Sequence, residues 1–499
     1  MVPDVAERDV VAGVRERLRE ALFLFPAVLG RVGLVDRRRG EEAFDLALPV
    51  MVTGTVRTIL RTADFFMVGL ALPAAAVAGL EFAFQYYFVG FGLALALSSG
   101  TISVVSRFKG ADEHARADLA IKQSLWLSLV ISVPLVAAAQ LYAEPLVGLL
   151  TDDGAAIEQG GIYLRIVTYA LLFRFWSMIA ARALQGSGDT RTPMYVNLVT
   201  VPTNIGLNAA LIFGLGPFPE LGIAGAAWGT TIAETLSGII FFWLLVGRDY
   251  DVSLRLGGRQ WDTGLAAELV RVSAPLAGTR LVGTFGRFPF LFVLATLGTP
   301  VVAAYALGRR VIMLAMMPAW GYSTAASTLV GQSLGAGEDD EATRYGWDTT
   351  RIALATQLLI AGAMALFADP IAGLFSADTA DLTVAFIRVF ALTVAGFSVS
   401  RSLRGALRGA GDTTWPLYGK VAGLVLRLGV VALALPAGMA FTLAGFSVAP
   451  GLGLGLVAVY AAILVDFYVQ AGVNAVRFAS GQWQVVARRA EGGPTAADD

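Results

Sequence analysis

Long apolar segments alternate with short charged connectors along almost the whole chain of 499 residues. A run of ~20 apolar residues is enough for a helix to cross the hydrocarbon core of a bilayer. Barrel strands would be shorter and would alternate apolar with polar residues, whereas these segments are continuous and rich in Gly and Ala. We therefore predict twelve transmembrane helices, named spans 1 to 12, at residues 43–70, 78–106, 119–142, 157–182, 191–215, 222–246, 265–297, 302–333, 347–369, 380–406, 415–437 and 451–478.

The connectors between these spans alternate in charge. Those that follow spans 1, 3, 5, 7, 9 and 11 contain no Lys or Arg, and they hold acids such as Glu144, Asp152, Asp153, Glu220, Asp369 and Asp378. Basic residues occupy the connectors after spans 2, 4, 6, 8 and 10: Arg107, Lys109, Arg116, Arg182, Arg191, Arg248, Arg255, Arg259, Arg344, Arg404 and Arg408. Because basic connectors stay on the inner side of the membrane, both termini are expected in the cytoplasm.

The ends of the chain are more polar than the spans. Val10, Val14, Leu18 and Leu22 recur at helical spacing among charged residues, which predicts a helix lying on the inner membrane face. The last dozen residues, which end in GGPTAADD, have the composition of a disordered tail.

One motif occurs twice. Residues 183–195 read ALQGSGDTRTPMY and residues 406–418 read ALRGAGDTTWPLY, so that eight of thirteen positions agree. Ala47-Leu48-Pro49 also matches Ser273-Ala274-Pro275, and Gly110-Ala111 matches Gly335-Ala336. A repeat of six helices predicts two homologous lobes in the same orientation with a cleft between them.

The expected fold is therefore an all-α integral membrane protein with twelve transmembrane helices in two six-helix lobes. Its predicted segments are a cytoplasmic N-terminal segment, an N-lobe containing spans 1–6, a cytoplasmic linker, a C-lobe containing spans 7–12 and a cytoplasmic tail. In that order they cover residues 1–42, 43–246, 247–264, 265–478 and 479–499.

The repeated G-x-G-D-T-x-x-P element has a structural interpretation. Its glycines allow a tight turn, its Asp or Thr can cap the next helix, and its Pro suits the first turn of that helix. The residues concerned are Gly186, Gly188, Asp189 and Pro193 in the first copy, and Gly409, Gly411, Asp412 and Pro416 in the second.

Composition narrows the classes of function. Hydrophobic residues make up 56% of the chain and charged residues 15%, far below the charged share of soluble domains. With no Cys, a single His at position 114 and a net charge of −1, the chain offers no basis for thiol or histidine catalysis or for binding nucleic acid. We expect no enzyme activity, no metal site and no cofactor.

Several segments resemble the multidrug and toxic compound extrusion (MATE) family. The repeated element, followed by Asn204, Asn208 and the residues LIFG at 211–214, is similar to that family's fifth span. RTADFFMVG at 61–69 resembles the end of its first span, and RFASGQW at 477–483 resembles its C-terminal signature. The resemblance covers residues 43–485 and implies two six-helix lobes that export organic compounds, driven by H⁺ or Na⁺.

Asp64 is the first candidate for the coupling-ion site. A carboxylate inside a span is costly and usually faces a cavity, and the resemblance assigns ion coupling to this motif position. The alternative is a structural ion pair, because Arg61 and Arg57 share a helix face with Asp64. The chain departs from the family in having Asn208 where one branch has an aspartate, and in lacking acids within spans 7 and 10.

Other polar residues lie within the spans. Asn204 and Asn208 are one helical turn apart, and they are expected either to line a polar cavity or to form interhelical hydrogen bonds. Glu234 and Asp466 are secondary acidic candidates, for which an ion pair is the favoured role.

Arginines outnumber acids inside the spans. The spans contain five arginines against three acids: Arg57, Arg61, Arg280, Arg287 and Arg427. The first four lie on spans 1 and 7, which are equivalent in the repeat. Pairing and snorkelling would explain them. The other hypothesis is a net positive cavity that favours anionic or zwitterionic compounds.

The proline positions suggest bends in the helices that line the cleft. Pro49, Pro202, Pro289 and Pro318 lie in spans 1, 5, 7 and 8, and each frees a carbonyl group.

The leading prediction of function is a secondary antiporter in the plasma membrane, coupled to H⁺ rather than Na⁺, that exports small organic compounds. The alternative is a flippase for a lipid-linked oligosaccharide. A membrane-embedded enzyme or a channel has no motif in its favour. The expected partners are a small organic substrate and the lipid bilayer, with the chain acting as a monomer.

Overall fold

The structure, a computed structural model, describes residues 23–247, 250–373, 379–439, 441–443 and 446–490, with only the backbone described at 59–66, 441–443, 446–448 and 490. It is almost entirely helical. Spans 1 to 6 are Arg37–Ala71, Ala74–Gly110, His114–Gly148, Gly154–Ser187, Arg191–Phe213 and Ile223–Gly247. Span 7 is divided into Thr263–Phe285 and Arg287–Thr296, and span 8 is divided into Thr299–Ala315 and Met317–Gly335. Spans 9 to 12 are Asp339–Leu366 with a short extension Ala368–Gly373, Ala380–Gly409, Thr414–Ala432 and Gly455–Ala479.

The prediction of an all-helical fold with twelve spans is confirmed. Within the described ranges, nine helices, or ten counting the bent pair of span 8, are long and apolar enough to cross a membrane. The two spans outside this set are 1 and 7, the spans in which the sequence places pairs of arginines. Most helices extend beyond the predicted limits, and this matters for the basic residues at their ends.

Two of the predicted proline bends coincide with breaks in the helices. Span 8 bends by 43° at Met316, two residues before Pro318. Span 7 is interrupted at Gly286, three residues before Pro289, which cannot donate a hydrogen bond to the preceding turn. Spans 1 and 5 continue through Pro49 and Pro202 as single helices.

The two lobes meet along a seam at the end of the bundle that carries the basic connectors, which we call the basic end. A Cβ atom on Gly110 would lie 1.9 Å from the carbonyl oxygen of Gln332, and one on Gly335 would lie 1.9 Å from that of Arg107. Gly110 lies 225 positions before Gly335, and Arg107 lies 225 positions before Gln332. The seam is therefore pseudo-symmetric, and glycine is required because the helix backbones of spans 2 and 8 touch there.

Side-chain bonds hold the same seam. Thr328 donates to the carbonyl of Gln185 at 2.8 Å, and Gln332 donates to that of Gly186 at 2.9 Å. Arg107, which is 3% exposed, forms an ion pair with Glu268. The basic end of the bundle is thus closed by direct contacts between the lobes.

At the opposite end, which carries the acidic connectors and which we call the acidic end, the lobes have separate cores. One apolar cluster, with Phe290, Tyr305 and Phe386 at its centre, comes only from spans 7 to 12 and their connectors. Another, with Tyr87 and Tyr163, comes only from spans 1 to 6 and the connectors between them. Among the described residues neither cluster includes a side chain of the other lobe. The cleft between the lobes therefore faces the acidic end.

The linker between the lobes is fixed to span 3. Asp118 accepts hydrogen bonds from the backbone N–H and hydroxyl of Ser253 and forms an ion pair with Arg255. Lys122 donates to the carbonyls of Gly257 and Arg259.

Some elements at the ends of the chain and one connector were not predicted. Residues 23–31 are helical, and strands Phe441–Leu443 and Phe446–Val448 form an antiparallel hairpin. The tail begins with a helix, Gln482–Ala490, in which the indole of Trp483 is fully buried and stacks on Phe478 at 4.7 Å. The predicted interfacial helix around Val10, Val14, Leu18 and Leu22 and the last nine residues lie outside the described residues.

Candidate transport cleft

Asp64, the predicted coupling residue, lies on span 1, the N-lobe helix that also packs against the C-lobe. Span 1 packs against span 8, where Gly54 approaches the sulfur of Met317 and Thr58 contacts it at 3.9 Å. Asp64 and Arg61 follow in the same helix, within the stretch whose side chains lie outside the description. Arg57 is half-buried one turn before Arg61. The role of Asp64 stays a prediction.

Glu234 is held by a cation. In the N-lobe its carboxylate forms an ion pair with Arg174, whose side chain is 5% exposed and whose guanidinium lies 5.1 Å from the ring centre of Phe91. A buried pair of this kind is costly to break from either side. The structure therefore shows the ion pair that the sequence favoured for Glu234, and it supplies the partner, Arg174, which the sequence did not indicate.

Asp466 occupies the corresponding position in the C-lobe, between two cations. Its carboxylate lies 3.4 Å from the ammonium of Lys420 and 3.3 Å from the guanidinium of Arg427. Gln470 donates a further bond at 2.6 Å. Arg427 also lies 3.8 Å from the ring centre of Phe290. Arg427 is therefore a structural partner of Asp466 and does not contribute an unpaired charge to the cleft.

Asn204 and Asn208 contact each other but lie differently. Asn208 is fully buried, and its amide donates to the side-chain oxygen of Asn204 at 3.4 Å. A Cβ atom on Gly229 of span 6 would lie 2.0 Å from the side-chain oxygen of Asn208. Asn208 thus packs between spans 5 and 6, with its bond to Asn204 inside span 5, while Asn204 is half-buried one turn away. The choice between a polar cavity and interhelical hydrogen bonding stays a prediction.

A cluster of positive charge lies on the floor of the cleft, next to the seam. Two arginines of span 10 contact span 8: Arg401 lies 3.9 Å from the ring centre of Trp320, and Arg408 donates to the hydroxyl of Ser327 and the carbonyl of Ser323. Arg404, between them on span 10, donates to Gln470 of span 12. Arg280 of span 7 lies 5.7 Å from the same Trp320 ring, and Arg182 of span 4 donates to Thr324 at 3.0 Å. We call Arg182, Arg280, Arg401, Arg404 and Arg408 the floor arginines.

This cluster corrects several sequence-based assignments. Arg182 and Arg404, at the ends of predicted spans 4 and 10, and Arg408, just beyond span 10, were counted with the connectors, but spans 4 and 10 extend to Ser187 and Gly409 and carry all three inside helices. The neighbour that the structure places across the cleft from Arg280 is Arg182. Arg287, on the second half of span 7, lies away from the floor beside Arg309 and Arg427.

One part of the cluster was visible in the sequence and was overlooked. Arg401 lies inside the predicted limits of span 10, among apolar residues. A cation at such a position is as strong a sequence signal as an acid. The convergence with spans 4 and 7 has no sequence signal.

The repeated G-x-G-D-T-x-x-P elements form the turns that lead from spans 4 and 10 into spans 5 and 11. Gly188 and Gly411 have positive φ angles of 104° and 78°, which glycine adopts without strain. Asp189 accepts hydrogen bonds from the backbone N–H groups of Arg191 and Thr192, and the prolines of both elements lie in the first turns of spans 5 and 11: Pro193 and Pro416.

The second element is anchored to the end of the C-lobe. Asp412 accepts a bond of 2.6 Å from Arg477, the first residue of the RFASGQW motif. Burial raises the pKa of Asp412, and the Arg477 guanidinium opposes that shift. Gly186 lies against the carbonyl of Ile102 and Gly409 against that of Ser327, so both elements touch equivalent helices.

Two homologous lobes of six membrane spans, closed at one end and enclosing a charged cleft at the other, define a polytopic membrane transport protein. The sequence profile of the MatE family matches residues 49–210 and 275–433, more than half of the chain. The chain belongs to this family.

Relatives and solved structures agree with this assignment. The chain is 30% identical over 441 residues to a probable multidrug resistance protein NorM of Rhodopseudomonas palustris, covering 85% of this chain and 90% of that protein. It is 26% identical to an FAD transporter of Shewanella oneidensis, covering 70% and 77%. An outward-facing MATE multidrug transporter structure superposes with a TM-score of 0.78 at 22% identity, covering 89% of this chain and 96% of that one.

Proposed function

We propose that this protein is a secondary antiporter that exports small organic compounds by alternating access of its two lobes. The observation that carries the proposal is the one-sided closure: the lobes touch through backbone at Gly110 and Gly335, and their apolar cores are separate at the acidic end. Rocking about the seam would exchange the open side. The names of the relatives, multidrug resistance protein and FAD transporter, support a small organic substrate.

The alternation of charge in the connectors supports an orientation. With the basic end in the cytoplasm, both termini are cytoplasmic and the cleft faces the exterior. The conformation described here is then the outward-open state, from which an exported compound leaves and a coupling ion enters. The lipid bilayer of the plasma membrane surrounds the lobes.

Asp64 is our proposed coupling site, with H⁺ as the ion. Glu234 and Asp466 are each held in ion pairs by cations of neighbouring helices, which favours a structural role for both. Na⁺ would need several oxygen ligands, and span 5 has Asn208 instead of an acid at the family's second position. A carboxylate on the helix that contacts both lobes can link its protonation to their movement.

The test is efflux of dyes of both charges from proteoliposomes under an imposed pH or Na⁺ gradient. We compare the wild-type protein with Asp64→Asn, and with Asp381→Asn as a control at an exposed carboxylate of the acidic end. Efflux driven by the pH gradient and lost only in Asp64→Asn is the expected result. Efflux that survives in Asp64→Asn would move the coupling role to Asp466, and no gradient-driven movement of any dye would contradict the antiporter.

A further inference from the structure

The floor arginines form a concentration of positive charge that the transport cycle as described does not use. Four of the five converge on the stretch of span 8 between Trp320 and Ser327, and Arg404 lies one turn from Arg401 and Arg408 on span 10 and donates to Gln470 of span 12. Arg401 lies within electrostatic range of the other four. In the described part of the chain, none of the five forms an ion pair with a carboxylate; their partners are Gln, Thr and Ser side chains, a carbonyl and the Trp320 ring.

Among the residues whose side chains are described, only neutral groups contact this cluster, which leaves its charge uncompensated there. Asp466 of the C-lobe is bound by Lys420 and Arg427, and Gln470 links it to Arg404. Uncompensated cations inside a membrane protein are expensive, and they usually mark a substrate or ion pathway. A purely structural role would call for a matching acid, as Arg174 has in Glu234.

The floor arginines retain accessible surface. Arg280 is exposed and the other four are half-buried, although all lie inside the bundle. Arg408 lies next to the seam, while Arg401 is two turns further into the cleft, so the guanidinium groups are spread along its depth. Buried Nε atoms of Arg401 and Arg404 lack a hydrogen-bond acceptor among the described groups. The floor therefore offers many N–H donors and very few acceptors.

We propose that the floor arginines bind an organic compound carrying two or more phosphate, sulfonate or carboxylate groups, and that such polyanions are the substrates of this transporter. The assignment rests on the proposed transport function and gives it a substrate class. Guanidinium groups match these oxyanions because their donors form a planar fork that binds two oxygens at once. Trp320 holds Arg280 and Arg401 in place through its ring. The same chemistry fits a water-soluble polyanion or a phosphate-bearing lipid headgroup, which the experiment separates.

The first measurement is binding of a pyrene trisulfonate dye to the purified full-length protein, detected by fluorescence anisotropy at low and high salt. We compare the wild-type protein with Arg401→Gln and Arg280→Gln, with Arg401→Lys as the charge-preserving variant and Arg388→Gln as the control. Arg388 forms an ion pair with Asp369 at the acidic end, away from the floor.

The expected result is saturable binding that weakens with salt and falls about tenfold or more in each Gln variant, the effect of losing one charge-assisted hydrogen bond. Arg401→Lys should retain part of the affinity and Arg388→Gln all of it. Thermal unfolding of each variant identifies those that fail to fold. Wild-type affinity for the dye in both folded Gln variants would overturn the proposal.

The second measurement separates substrate class from transport itself. Proteoliposomes containing the wild-type protein or each Arg variant are loaded with the trisulfonate dye, with a lipophilic cationic dye, or with a fluorescent lipid carrying a pyrophosphate headgroup. Gradient-driven movement of the trisulfonate that is lost in Arg280→Gln and Arg401→Gln supports a soluble polyanion, and arginine-dependent movement of the lipid alone assigns the site to a lipid headgroup.

Two outcomes would each refute one claim, either the polyanion site or the antiporter, and leave the other standing. Gradient-driven movement of the cationic dye alone, unchanged in both Arg variants, would refute the polyanion site while leaving the antiporter intact. Failure of every gradient to drive any compound, together with arginine-dependent binding of the trisulfonate, would refute the antiporter and leave the site standing.

Discussion

The seam glycines provide a direct test of alternating access. Replacing Gly110 or Gly335 with Ala adds a single methyl group at the point where spans 2 and 8 touch. Its Cβ would lie 1.9 Å from the opposing carbonyl oxygen, where ordinary contacts begin at 3.4 Å. Both faces of the contact are helix backbone, which has no rotamer to adjust. The helices must therefore separate by about 1.5 Å, the difference between those two distances.

The magnitude follows from the bonds next to the contact. Separation of this size would break the bonds from Gln332 to the Gly186 carbonyl and from Thr328 to the Gln185 carbonyl, now 2.9 and 2.8 Å long. Each is worth about 0.5–1.5 kcal/mol net, so that the closed basic end loses roughly 1–3 kcal/mol. At ~1.4 kcal/mol per factor of ten, the balance between the two conformations shifts about 5- to 150-fold towards opening of the basic end.

The measurement uses the absence of native cysteine. Cysteines introduced at Asp152 and Thr299, both exposed at the acidic end of opposite lobes, are labelled with nitroxides or fluorophores, and their distance distribution is recorded in nanodiscs. Gly110→Ala and Gly335→Ala should each shift the distribution to shorter distances, because the acidic end closes as the basic end opens. Gly472→Ala is the control, since a Cβ atom there would meet nothing within 4 Å.

The reasoning would be refuted by wild-type distance distributions and wild-type efflux in both folded seam variants. A shift in only one of them would show that the pseudo-symmetric contacts are not equivalent in energy. Thermal unfolding distinguishes a shift between conformations from general loss of the fold.

Three further changes test the structural assignments by thermal or denaturant unfolding in detergent. Glu234→Gln leaves Arg174 without its buried counter-charge and should cost about 3–5 kcal/mol; an unchanged unfolding temperature would show that the pair is not structural. Trp483→Ala removes a fully buried indole from its stack on Phe478 and should cost about 3–5 kcal/mol, whereas a change below 1 kcal/mol would mean that the last helix is not docked. Asp189→Ala removes two hydrogen bonds from the start of span 5 and should cost about 1 kcal/mol, with Asp189→Asn closer to the wild-type protein.

The hydropathy pattern was sufficient for the helical spans because each span satisfies its own backbone hydrogen bonds within the membrane. The repeat, read from identical residues such as Gly110 and Gly335, predicted two equivalent lobes, and the seam shows why these glycines recur. Helix limits were less predictable. The apolar runs end before the helices do, since a helix continues beyond the hydrocarbon core into the polar region, and this left Arg408 in a predicted connector. Arg182 and Arg404, at the ends of the predicted spans, were counted with the connectors although they lie inside the predicted limits.

For the charges inside the spans, the sequence and the tertiary structure again supplied different information. The sequence alone showed Glu234, Asp466 and several arginines inside the spans, because a charge among apolar residues is visible in one dimension. Only the tertiary structure decided which of the described charges meet: Glu234 with Arg174, Asp466 with Lys420, and five arginines from spans 4, 7 and 10 with one another. Pairing between helices depends on their rotation and packing, which residues hundreds of positions apart determine together, and no local pattern encodes it.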